Sequence, residues 1–203
     1  MAPETPAANP RPRRRLPIIT TAMTTLPLAW LGIAFLRDEL GANPIEEITH
    51  VTGEWTLRFL LASLAITPAR RAFALPALAP LRRTFGLAAF GYATLHALTY
   101  VGLDQGFDWE FLAEDVREHR FVTAGFGAWC CLLPLALTST RRAMRRLGPR
   151  WRKLHRLSYA AGVLGVVHYI WLVKADLLPP LAHAAVLAAL LAARFQGRRR
   201  AGC

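Results

Sequence analysis

The sequence predicts an all-α, polytopic membrane helix bundle with six transmembrane helices and both termini cytoplasmic. Four observations lead there. The chain is 54% hydrophobic, with a mean hydropathy of +0.27. Its apolar residues gather in blocks of about 14 to 20 with the charges between them, as spanning helices do. The charges also change sign from one loop to the next. Finally, two histidines, His96 and His168, lie deep inside apolar blocks, where an imidazole is costly unless something binds it.

Residues 1–15 are rich in Pro and Arg and lack periodicity, which reads as a disordered basic tail. The first apolar run, 18–36, follows Arg13, Arg14 and Arg15. No small-x-small cleavage site clearly follows it, so it reads as a retained span rather than a signal peptide. An acidic loop, 37–53, carries the turn residues Gly41, Asn43 and Pro44. The second span is read over 54–67, closed by Pro68; it is short for a bilayer and has an alternative start near Ile45. Residues 73–81 lie between two Arg pairs and contain Pro76 and Pro80, so they are expected at the membrane interface.

The third span is 85–103, followed by an acidic loop over 104–120. The fourth is 121–137, followed by a strongly basic loop. The fifth is about 154–173, and the sixth is 181–195. The six-helix domain thus covers 16–196, and 197–203 reads as a basic C-terminal tail. Counted through six spans, one side holds 20 of the 25 Lys and Arg, and the other holds 12 of the 13 acids. Positive loops stay in the cytoplasm, which puts both termini inside. A bacterial inner membrane suits a chain this short and this rich in Arg.

The formal charge of +12 does not point to nucleic acid, because the basic residues flank apolar runs and form no separate basic face interleaved with aromatics. Cys130, Cys131 and Cys203 lack the spacing of a zinc or redox motif and read as small apolar fillers.

His96 lies 12 residues into the third span and His168 lies 14 into the fifth, roughly 18 and 21 Å of rise from the same side. Two imidazoles at one depth, on helices running the same way, can ligate a haem iron from opposite sides. His155 sits at the mouth of the fifth span. Three roles stand for it: ligand of an inner haem, contact to a quinone or flavin, or interfacial cap. An inner haem would need a partner near residues 82 and 83, and both are Arg. Arg58, inside an apolar block, has two readings: an ion pair with Glu54 one turn back, or a partner for a haem propionate. His50 is placed to meet a propionate, His119 reads as solvated and His183 as structural. Trp30, Trp55, Trp151 and Trp171 fit an interfacial aromatic belt.

A set of motifs makes the chain resemble a known family. They are Gly41-Ala-Asn-Pro44, Thr52-Gly53, Phe59-Leu-Leu-Ala62 with Thr67-Pro68, and Arg82-Arg83-x-x-Gly86-Leu87. They continue with Tyr92-x-x-Leu95-His96-x-x-x-Tyr100, Leu135-Ala-Leu-Thr-Ser139, Trp151-x-x-Leu154-His155-x-x-x-Tyr159 and His168-Tyr169-x-Trp171-x-x-Lys174. In order, over about residues 37 to 175, they resemble the MsrQ (YedZ) family, part of the ferric-reductase-like transmembrane group. No soluble flavin- or NAD-binding domain follows them.

The resemblance implies an electron-transfer subunit that binds haem b, with one haem expected and a second open, and FMN. It implies His96, His155 and His168 as the haem ligands. It also implies electrons drawn from the quinone pool or a cytosolic flavin reductase and passed to a periplasmic molybdopterin methionine sulfoxide reductase of the MsrP type, in protein repair. Sulfoxide reduction itself falls to that partner. Two other readings compete: a stand-alone ferric or metalloreductase, and a non-redox helical membrane protein. The scarcity of intramembrane acids argues against an ion-coupled transporter.

Overall fold

The computed structural model describes residues 12–199, and every regular element among them is helical. Six long helices, α1 (Pro12–Leu36), α2 (Pro44–Ala72), α3 (Ala79–Leu98), α5 (Arg120–Leu137), α8 (Leu157–Leu172) and α9 (Leu178–Arg199), are joined by three short ones, α4 (Trp109–Glu118), α6 (Arg141–Leu147) and α7 (Pro149–Leu154). A 3-10 turn at Pro76–Leu78 leads into α3, and a π-helical turn at Thr99–Asp104 follows it.

Several boundaries differ from the sequence reading. α1 starts at Pro12, so residues 12–15 continue the first helix, whereas 1–11 lie outside the described residues. α2 runs 29 residues instead of stopping at Pro68. Its start is fixed by Asn43, whose Oδ1 accepts from the Glu46 N–H at 3.3 Å while its Nδ2 donates to Glu46 Oε2 at 3.1 Å. That reciprocal cap, with Pro44 in the first turn, satisfies helix-end donors. Gly41 supplies the positive φ of +78° that turns the chain into it. Glu46 and Glu47 at one end and Arg70 and Arg71 at the other complement the helix dipole. Pro80 opens α3 rather than breaking a segment, and only Pro76–Leu78 keeps a separate turn. The acidic loop folds as α4, capped by Asp108. At the far end α9 carries residues 197–199, and Cys203 lies outside the described residues.

The core is two antiparallel hairpins. In the first, α2 lies along α3: Thr49 meets His96 at one end, and Ser63 Oγ donates to the Arg82 carbonyl at 2.8 Å near the other. In the second, α5 lies along α8: Phe121 meets His168, and Thr138 meets His155. The hairpins share a register, since the Thr49–His96 and Phe121–His168 contacts each span 47 residues. Ala89 and Ala161, both fully buried, belong to one core cluster with Phe59, Tyr92 and Leu132, and such small side chains let helices approach closely. Trp129 Nε1 donates to Thr94 Oγ1 at 3.1 Å, tying α5 to α3.

The outer helices flank this core. α9 packs through Leu187 against Leu57, Leu61, Leu64 and Val166. α1 is fastened to α3 by Tyr92, whose hydroxyl donates to the Thr24 carbonyl at 2.9 Å. Large apolar side chains cover the outside, with Leu26, Leu36, Leu137 and Leu178 each more than two-thirds exposed. Such a surface is unstable in water and suited to hydrocarbon. Two helical stretches, Ile19–Leu36 and Arg120–Leu137, are long and apolar enough to cross a bilayer, and Leu178–Arg194 is a shorter apolar helix. α8 has only 16 helical residues, and α2 carries Glu54 and Arg58 in its middle.

Candidate functional site

The packing of the two hairpins brings His96 and His168 together. Their ring centroids are 6.0 Å apart and their planes 83° apart. His96 Nδ1 is 2.9 Å from the Thr49 carbonyl on α2, and His168 Nδ1 is 2.7 Å from the Phe121 carbonyl on α5. A carbonyl only accepts, so each Nδ1 carries the proton and donates it. Each Nε2 then holds the lone pair, on the ring edge turned away from its anchoring carbonyl. Neither Nε2 has a hydrogen-bond partner among the described residues. No sealed side-chain nitrogen or oxygen among those residues lacks a partner, so each Nε2 borders open space.

Two glycines make the arrangement possible. A Cβ on Gly53 would lie 3.1 Å from His96 Cε1, and one on Gly125 would lie 2.9 Å from His168 Nδ1. Both rings therefore rest directly on the backbone of the facing helix. Each glycine is one turn past the residue whose carbonyl takes the imidazole proton: Gly53 after Thr49, and Gly125 after Phe121. Both are four positions on, so one local device occurs twice.

The donor set fits an iron porphyrin. Two neutral imidazoles ligating one metal at about 2 Å from opposite sides place their ring centroids about 6 Å apart. A ligating histidine whose other nitrogen donates to a backbone carbonyl has a fixed tautomer and a more basic free nitrogen. Among the described residues no group of three or more His, Cys, Asp or Glu is placed to hold a metal ion by itself. A porphyrin supplies four of its iron's ligands and asks the protein for only two.

The other candidates are placed as follows. His155 is stacked on Trp151, with centroids 3.9 Å apart, and its Nε2 is 3.1 Å from Thr138 Oγ1. That hydroxyl already donates to the Pro134 carbonyl at 2.6 Å, so it accepts from His155 Nε2–H. The tautomer is thus the reverse of that at His96 and His168. Arg58 makes the ion pair with Glu54 at 2.7 Å and lies over the Trp55 ring, with its side chain 44% exposed. Glu54 Oε1 also accepts from the Tyr169 hydroxyl at 3.4 Å, which links the pair to the residue beside His168. His119 pairs with Asp115 at 2.7 Å, and Asp115 accepts the Tyr100 hydroxyl as well. His183 Nδ1 donates to the Pro179 carbonyl of its own helix at 2.7 Å, and His50 is exposed.

Motif reading missed the carbonyls of Thr49 and Phe121 and the cradle at Gly53 and Gly125. One signal was available: each glycine precedes its histidine by the same interval, Gly53 to His96 and Gly125 to His168.

Comparison with known proteins identifies the family. The family model described as the ferric reductase like transmembrane component matches residues 52–166, which include both glycines and His96. A haem-binding subunit MsrQ of protein-methionine-sulfoxide reductase from Rhodospirillum rubrum is 52% identical over 181 residues, covering 87% of each chain. Its namesake from Caulobacter vibrioides is 49% identical over 177 residues, covering 86% of this chain and 84% of its own. Another, from Azospira oryzae, is 46% identical over 197 residues, covering 95% of this chain and 84% of its own.

Proposed function

The chain belongs to the MsrQ family of membrane proteins, within the ferric-reductase-like transmembrane group, and from that footing we propose that it is a haem b electron-transfer subunit of a methionine sulfoxide reductase system. One observation supports this above the rest. Two imidazoles 6.0 Å apart each present a free Nε2 while their Nδ1 protons are held by backbone carbonyls.

In this reading His96 and His168 would hold the haem iron through Nε2. Bound haem supplies a one-electron carrier inside the bilayer. The chain does the rest. The Thr49 and Phe121 carbonyls fix both tautomers, and Gly53 and Gly125 let the rings seat. Phe121, with its ring 6.2 Å from that of His168, forms part of an apolar wall against water. Arg58 is proposed to meet a haem propionate, dividing its charge between that group and Glu54. His155, at the opposite end of α8 from His168, is the proposed contact for a second haem, a quinone or a flavin. FMN enters as a second cofactor on the family resemblance.

The proposed topology has six spans in a bacterial inner membrane with both termini cytoplasmic. Electrons enter from the quinone pool or a cytosolic flavin reductase and leave to a periplasmic molybdopterin methionine sulfoxide reductase, which carries out the reduction. A stand-alone ferric reductase is the competing reading, and direct ferric reduction by the isolated protein would favour it.

The test is a reduced-minus-oxidised visible spectrum of the purified protein. The wild type is expected to show a haem b α-band. His96→Ala and His168→Ala are each expected to lose most of it, since each leaves iron with one axial ligand. A stable, colourless wild type rejects the proposal.

A further inference from the structure

A cavity of about 340 Å³ opens between the C-terminal part of α2, the start of α8 and the second half of α9. Its polar lining includes Arg71, Arg194, Thr67 and Tyr159, and its apolar lining includes Leu64 and Leu190. The Arg194 guanidinium lies over the Tyr159 ring, 4.6 Å from its centroid. Arg82 donates to Thr67 Oγ1, which lines the cavity, at 3.4 Å. Neither Arg71 nor Arg194 has a carboxylate partner among the described residues.

The imbalance is not local to those side chains. The described acids fall in residues 38–54, in 104–118 and at 176. The nearest one along α2 is Glu54, 13 residues before Thr67, or roughly 20 Å of helix rise. Two guanidiniums thus line a cavity to which the described residues supply no counter-ion. Like charges held together beside hydrocarbon are costly unless an anion comes from outside. Arginine favours phosphate, which it can bind with two parallel hydrogen bonds. The rest of the lining, Leu64 and Leu190, suits a hydrocarbon chain and not a free ion. Basic pockets between transmembrane helices take anionic lipid headgroups on this logic.

We propose that the groove between α2, α8 and α9 is a binding site for an anionic phospholipid, its phosphate on Arg71 and Arg194 and its acyl chain against Leu64 and Leu190. This does not depend on the electron-transfer reading; it requires only that the chain be a membrane protein.

The test is native mass spectrometry of the full chain in detergent, titrated separately with phosphatidylglycerol and with zwitterionic phosphatidylcholine, and with inorganic phosphate as competitor. Phosphatidylglycerol is expected to be retained in preference to phosphatidylcholine. The double variant Arg71→Gln/Arg194→Gln is expected to weaken phosphatidylglycerol retention by about tenfold or more. The control Arg145→Gln/Arg146→Gln, on the exposed face of α6, is expected to leave it unchanged. Ala193→Trp fills the groove from an exposed position while keeping both guanidiniums, and it is also expected to expel the lipid. Equal retention of the two lipids overturns the proposal, as does an equal loss in the α6 control. Displacement of phosphatidylglycerol by inorganic phosphate would make the site one for the free ion and overturn the lipid assignment. If the double arginine variant does not accumulate, Ala193→Trp decides alone: wild-type retention in that variant rejects the site.

Discussion

At the scale of single residues, the proposed haem site depends as much on two missing side chains as on two present ones. Gly125→Ala adds a methyl group 2.9 Å from His168 Nδ1, and Gly53→Ala adds one 3.1 Å from His96 Cε1. Two effects compete. Alanine in a helix is favoured over glycine by about 1 kcal/mol. Overpacking costs about 1–3 kcal/mol, and here the atoms that must yield are those of a ligand ring held by a backbone hydrogen bond. The ring has to leave its carbonyl, so the proposed ligand geometry is lost even where the helix is strengthened. The expected result is a haem-to-protein ratio well below wild type in Gly125→Ala and a smaller fall in Gly53→Ala, with thermal stability of the haem-free chain within about 1–2 kcal/mol of wild type. Pyridine-haemochrome stoichiometry and a melting curve measure the two. A Gly125→Ala protein with full haem content would show that His168 does not need its seat. The histidines were legible in the sequence because an imidazole in an apolar block is conspicuous. The glycines were not, since a glycine in an apolar helix usually means only close packing, and its purpose here appears only when the facing ring is in view.

At the scale of elements, proline was the main source of misreading. Pro68 reads as a stop in the sequence, but α2 continues through it to Ala72. A proline removes one backbone donor, and tertiary packing of the flanking residues decides whether the helix survives the loss. Here Leu64 and Ile66 before it are buried in the core, and Thr67 Oγ1 accepts from Arg82. Pro80 reads as a breaker in the sequence, yet it occupies the first turn of α3, where no N–H is needed. The repeated hairpin also bears on His155. Thirteen residues before His96 and His168 stand Arg83 and His155, so an inner counterpart of the pair has no second imidazole on α3. With its Nε2 engaged by Thr138 and its ring on Trp151, His155 is built into the α5–α8 hairpin independently of the other pair. His155→Ala is therefore expected to retain the haem held by His96 and His168, with an unchanged α-band for that centre. Haem counted per chain in this variant reads out its role: a fall from two to one makes it the inner ligand, and an unchanged count makes it a structural cap. Loss of all haem would show that the two ends of the hairpin are not independent.

At the scale of the whole molecule, the charge pattern and the surface make a joint argument. Individual helices are poor witnesses to a membrane here: α2 carries Glu54 and Arg58, α8 is short, and among the described residues two stretches are long and apolar enough to cross a bilayer. The assembled bundle is a better one, because the large apolar side chains that α1, α5 and α9 leave outside have no aqueous reason to be there. Sorting of charge then sets direction. In the proposed six-span topology, 20 of 25 basic residues fall on one set of ends and 12 of 13 acids on the other, and the positive set is expected in the cytoplasm. The consequence is testable without a haem. A reporter fluorescent only in the cytoplasm, fused after residue 203, is expected to be bright, and an alkaline phosphatase, active only in the periplasm, is expected to work when fused after Glu118 and to fail when fused after Arg146. Phosphatase activity at Arg146 would invert the bundle. The acidic end, to which α4 and the His96–His168 pair lie close, would then face the cytoplasm, and delivery of electrons to a periplasmic partner from that pair would no longer be geometrically possible.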